Sequence, residues 1–143
     1  MAYDEGLRSI SLAADASIAG YTGVPGLPGS ADPNGGKQYK FVKVTGAKTC
    51  GLAVGASKEV VIGVLQNKPQ VTGQAATVAI RGVSRVVAGG NVNAGETVTV
   101  NSDGEAEKTT DNELVVGVAV TSGADQEIIS VLLSTPANIK ATA

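Results

Sequence analysis

The chain has no histidine, no tryptophan and a single cysteine among its 143 residues. The missing histidine removes the commonest general base, the commonest metal ligand and any Ser-His-Asp arrangement. One cysteine excludes an intrachain disulfide and a cysteine-rich zinc site. Cys50, with no base near it in sequence, reads as a small buried hydrophobe. Gly23, Gly26 and Gly29 lack the strand-to-helix setting of a phosphate loop. The acidic groups near Asp32 and Asp103 lack the alternating ligands of a calcium loop and read as turns. The expectation is a protein that is not an enzyme and has no cofactor or metal site. Two carboxylates brought together from distant strands are the one hydrolytic arrangement left open.

Aromatic residues make up 3% of the chain, and none follows Phe41; the others are Tyr3, Tyr21 and Tyr39. Platforms that stack bases need such side chains. With 11 basic against 13 acidic residues, a net charge of −2 and no strongly basic stretch, nucleic acid is not the expected partner. No apolar run approaches the length that crosses a bilayer, so no membrane partner is expected. Met1-Ala2-Tyr3-Asp4-Glu5 has neither the basic start nor the apolar run of a signal peptide, which leads us to expect synthesis and folding in a cytoplasm.

What is present is aliphatic. Hydrophobic residues make up 43% of the chain, enough for a globular fold, and the length suits one domain over residues 1–143. After position 41 the core must be built from Val, Ile, Leu and Ala, which bury little area each. Burial between subunits would add stability to such a thin core. The apolar pattern is that of strands. Ile10 and Leu12 alternate with serines; Tyr39 to Val44, Val60 to Leu65, Thr77 to Ile80, Val83 to Val87, Thr97 to Val100, Leu114 to Val120 and Ile128 to Leu133 follow. No long stripe of helical period occurs, and glycines weaken a short helix between Ala47 and Ser57.

The chain also repeats itself. Ser9-Ile10-Ser11-Leu12 matches Ser84-Arg85-Val86-Val87, and Val42 to Gly46 matches Val100 to Gly104. Glu59-Val60-Val61-Ile62-Gly63-Val64 matches Glu113-Leu114-Val115-Val116-Gly117-Val118, and Gln74 to Ile80 matches Gln126 to Leu132. The spacing between matched residues shortens stepwise along the chain. This organises it into a first half, residues 9–80, and a second, 84–132, between an N-terminal arm, 1–8, and a C-terminal tail, 134–143. The two halves, each too small to bury both faces of its strands, would pack about a pseudo-twofold axis. Gly63 and Gly117, at equivalent points inside apolar strands, mark close backbone approaches, and the two are candidates to meet where the halves cross. The first half carries an insertion at residues 21–37, rich in Gly and Pro, which reads as an exposed loop without regular structure. Its Val24 and Leu27 are candidate partner contacts, together with Tyr3, Leu7 and Ile10 of the N-terminal segment. Ile10 to Leu12 are assigned mainly to the fold.

Several of these segments, taken in order, resemble the head decoration (capsid cement) proteins of tailed phages. They are Ile62-Gly63-Val64-Leu65-Gln66-Asn67-Lys68-Pro69, Gly73 to Ala79, Gly82 to Gly89, Ala94-Gly95-Glu96-Thr97-Val98 and Val116-Gly117-Val118-Ala119. The similarity runs over residues 6–133, apart from the insertion, which departs from the family pattern. The resemblance implies a β-tulip-like fold and a homotrimer bound to the major capsid protein on the virion exterior, stabilising the expanded shell. Read together, the residues and the resemblance give one all-β domain, a sandwich or barrel of two related halves with an extended N-terminal arm and an inserted loop. The alternatives are a tail or fibre structural module, which shares the Gly-rich β composition, and a small ligand- or carbohydrate-binding β-domain, which four early aromatics supply poorly.

Overall fold

The computed structural model describes residues 2–19, 37–56, 59–110, 113–133 and 139–140. These hold strands and no helix: β1 (Glu5–Ala14), β2 (Phe41–Gly46), β3 (Thr49–Leu52), β4 (Val61–Leu65), β5 (Ala75–Val87), β6 (Thr97–Val100), β7 (Ala106–Lys108), β8 (Leu114–Val115), β9 (Gly117–Ala119), β10 (Ile128–Leu133) and β11 (Ile139–Lys140). Nine of them join in the order β1-β3-β2-β4-β5-β10-β9-β6-β7, and β11 pairs separately with β8.

That order contains two closures. β1 pairs with β3 in parallel and with β5 antiparallel, so β1, β3, β2, β4 and the first part of β5 form a ring. The second part of β5 pairs with β10, which continues through β9 and β6 to β7. β7 returns to the end of β5 by the parallel bridge between Ala88 and Ala106. The protein is thus two small barrels that share one long strand, and closure leaves few strand edges open. The sequence suggests a break in β5 between Ile80 and Val83. Gly82 instead kinks a continuous strand: its φ is 97°, and a Cβ there would overlap the Gly6 carbonyl.

The all-β domain built from two related halves is the architecture expected, but the halves pack head to tail and not about the expected pseudo-twofold axis. Residues of the first half enter the core of the second, and among the described residues the first core holds only its own. The ladders also correct the residue matching. Ile10 lies opposite Val78 in the first barrel, as Ser84 lies opposite Val131 in the second. Val42 lies opposite Leu52 and Gly63, as Val98 lies opposite Lys108 and Gly117. The N–H of Gly73 donates to Ala14 O (2.8 Å) as that of Gln126 donates to Ala88 O (2.7 Å). Positive φ recurs at equivalent places too: Tyr39 with Gly95, Lys48 with Gly104, Gly73 with Gln126. The outer strands therefore match one residue away from the sequence alignment, and β2 matches β6 two residues away. A shift of two keeps every side chain on its face, so nothing in the alternation opposes it. A shift of one turns each to the other face, and only the ladder exposes it.

With this register the cores correspond. Leu12, Ala14, Ile18, Val42, Cys50, Leu65, Ala76 and Val78 fill the first barrel. Val86, Ala88, Val92, Val98, Ala106, Ala119, Ile129 and Val131 take the same places in the second. The second cluster has an addition: Phe41, Ala53, Val61 and Val64 of the first half also belong to it. They come from the outer surface of the first barrel and plug the open side of the second. The junction is hydrogen-bonded: Phe41 N–H donates to Gly104 O (2.8 Å), and Val87 N–H to Tyr39 O (2.9 Å). Beside it Lys40 Nζ stands 3.3 Å from Glu105 Oε2, both side chains buried, with Gln126 and Asn101 amides also donating to that carboxylate. The halves are joined head to tail at this plug. Gly63 and Gly117 do not meet; each lies against the last strand of its own barrel.

Candidate interaction surfaces

The expected N-terminal arm divides at Glu5. Residues 5–8 belong to β1, with a register irregularity before Ser9 where Gly6 takes φ 61°. Leu7 is half-buried there. Residues 2–4 leave the ladder and cross the outside of the second barrel. Asp4 Oδ1 accepts the Arg85 N–H (2.9 Å), and Asp4 Oδ2 lies 3.9 Å from Arg85 Nε. Tyr3 N–H donates to Ser130 Oγ, and Ser130 O–H donates back to Tyr3 O (2.8 Å). Ser130 points outward from β10 yet is fully buried under this clasp. Outward-pointing Ile128 and Leu132 flank it, Val118 faces Leu132 across the ladder, and Val120 N–H donates to Ser130 O. With Tyr3, which is 36% exposed, these aliphatics make a solvent-facing apolar surface on β9 and β10. The chain pattern could have located β9 and β10 as strands, but not which of their faces lacks a cover.

Ile10 is elsewhere. It sits on the open side of the first barrel, 40% exposed, on the face of β1 that carries Leu12. Val44, 55% exposed, and Val60 are also uncovered at this barrel. A hollow of about 560 Å³ lies there, lined by Lys43, Val44, Thr45, Ala56, Glu59, Val60 and Ile62. Its acid is already occupied: Glu59 accepts the Val54 and Gly55 N–H groups and pairs with Lys43 Nζ at 2.8 Å. Glu113 repeats this loop clasp in the second half by accepting the Thr110 N–H. The candidate contacts from the sequence thus divide between two surfaces, Tyr3 on one and Ile10 on the other. Val24 and Leu27 lie outside the described residues, as does the insertion apart from Lys37.

Among the described residues, no group of three or more His, Cys, Asp or Glu side chains is placed to hold a metal ion. The Cys50 thiol is pushed up to about 11, first by burial and then by the Asp15 carboxylate. Glu96 has its carboxyl held below the usual range by the Asn93 N–H and by Lys108.

No family model matches the chain, and no curated protein does. Among solved structures it is similar to the head fiber gp8.5 N base of bacteriophage phi29, at 16% identity and a TM-score of 0.59, over 90% of this chain and 94% of that one. At that identity the likeness establishes a shared fold.

Proposed function

We propose that the protein is a structural component of a phage virion that decorates the head exterior as a homotrimer, binding the major capsid protein and stabilising the expanded shell. The observation that carries this reading is the near-complete fold match to the head fiber N base. The segment-by-segment resemblance to decoration proteins supports it independently. The shell contact is assigned to the surface around Tyr3, with Val120, Ile128 and Leu132, because it combines uncovered aliphatics with a chain segment that has left the ladder and is held at Ser130 and Arg85. Three such surfaces on one trimer would multiply a weak contact through avidity.

The test is to mix purified protein with undecorated heads and image the product. Occupied sites on the outer surface are expected. Removal of residues 2–4, which leaves β1 paired, should reduce occupancy, as should Ile128→Asp. Failure of the intact protein to bind any head would sink the proposal. Binding that survives both changes would move the contact elsewhere. A second reading, a module at the base of a fibre, is favoured by the structural neighbour, a head fiber N base; location in images of the parent virion separates the two.

A further inference from the structure

The junction inside the chain has two sides, and each has an unused counterpart. On the plugging side are Phe41, Ala53 and Val64; the register gives Thr97, Thr109 and Val118 as their equivalents. The correspondence extends to the backbone, since Ala53 N–H donates to Phe41 O as Thr109 N–H donates to Thr97 O, both at 3.0 Å. Phe41 and Val64 are buried, whereas Thr97 is exposed and Val118 is 37% exposed. On the receiving side are Ser84, fully buried, and Val100, 6% exposed; their equivalents are Ile10 and Val44, both uncovered. Among the described residues, one end of the molecule therefore presents an open barrel without a plug, and the other a plug surface without a barrel.

We infer that copies of this chain associate head to tail by repeating between molecules the junction that joins its two halves, the open side of one first barrel receiving the outer surface of a neighbour's second barrel. This deepens the homotrimeric reading above and rests on it only for the number three. Such a contact is heterologous, and a ring of three copies would alternate like barrels around a closed circle. The charged positions change partners: on the intermolecular plug Glu96 is paired with Lys108 at 3.0 Å. Lys40 on the plugging side meets Glu105 on the receiving side within the chain; between copies, Glu96 takes the place of Lys40, and Lys48 lies beside Thr49, which takes the place of Glu105. The intermolecular plug is also the more polar one, with Thr97 for Phe41 and Lys108 for Leu52. That suits a surface that must be soluble before assembly, unlike one covered from the moment of folding.

Disulfide trapping tests the geometry. Phe41 N and Gly104 O are 2.8 Å apart in the junction, which brings those residues within disulfide reach. Their equivalents are Thr97 and Lys48, both exposed. A chain carrying Lys48→Cys and Thr97→Cys, oxidised mildly, is expected to give a covalent ladder that stops at the trimer, with neither single variant doing so. Light scattering on the unmodified protein reports the oligomer independently. A trimer that does not cross-link overturns the inference and keeps the trimeric reading. Cross-linked chains that run past three keep the head-to-tail contact and overturn the trimer; a monomer without cross-links overturns both. As a second variant, Val44→Asp should dissociate the oligomer at least tenfold more readily than Val71→Asp, which also alters an exposed valine; equal effects would overturn the inference.

Discussion

Gly63 and Gly117 hold the same place in the two barrels. A Cβ on Gly63 would overlap the Ala79 carbonyl oxygen and crowd Val78 Cγ1; one on Gly117 would crowd the Leu132 carbonyl oxygen and Val131 Cγ1. Backbone blocks the added methyl in both, so a strand must shift. Gly63→Ala and Gly117→Ala are each expected to cost about 1–3 kcal/mol or more, from overpacking. Gly63→Ala should be the worse, because its overlap is with backbone at closer range. Urea denaturation measures both; a loss below about 0.5 kcal/mol for either would show that the ladders yield more easily than their geometry implies.

The Lys40–Glu105 pair fastens the plug. Lys40→Met leaves a buried carboxylate with the neutral Gln126 and Asn101 amides in place of a cation, and a loss of about 3 kcal/mol is expected. Lys40→Met with Glu105→Leu should recover much of it, since an apolar pair of similar volume avoids the desolvation cost. A double-mutant cycle in urea checks this. Additive losses in the double variant would mean that the pair does not act as a unit.

Lys48 has φ 55° at the turn where the second half uses Gly104 with φ 75°. A side chain there strains the backbone by about 1–2 kcal/mol, against about 0.5–1 kcal/mol of added unfolded-state entropy for glycine. Lys48→Gly should therefore stabilise the monomer by about 0.5 kcal/mol. The same change at Thr45, whose φ is not positive, should destabilise it. Thermal melts of the two variants give the comparison.

Cys50 occupies the position of Ala106 in the other barrel, so Cys50→Ala should fold. Burial first, then Asp15, raise the folded thiol to about 11 from an ordinary 9.0. A raised thiol contributes stability that is complete below its unfolded value and is lost as pH climbs through the folded one. The native protein should thus resist a thiol reagent near neutral pH and lose stability between about pH 9 and 11 relative to Cys50→Ala. Rapid labelling of the folded protein, or parallel pH profiles for the two forms, would contradict this.

The sequence by itself determined that the protein is a β-domain with an aliphatic core. The missing helical stripes and the period-two runs ending in turns allow little else. It also determined that the chain is a repeat, because Glu59 to Val64 and Glu113 to Val118 share an order of side chains that one packing problem, solved twice, demands. Register was left to the tertiary structure, since apolar alternation is unchanged by a shift of two, and only ladder bonds such as that of Val116 N–H to Val98 O select one alignment. Strands as short as β3 and β7 carry too few residues for a periodic signal and exist because β2 and β6 offer them partners. The same holds for the surfaces. Val44 and Val100 are the same residue type in the same strand pattern, and one is exposed while the other is buried. The difference comes from Phe41 and Val64, which reach the second barrel, whereas among the described residues their counterparts Thr97 and Val118 do not reach the first.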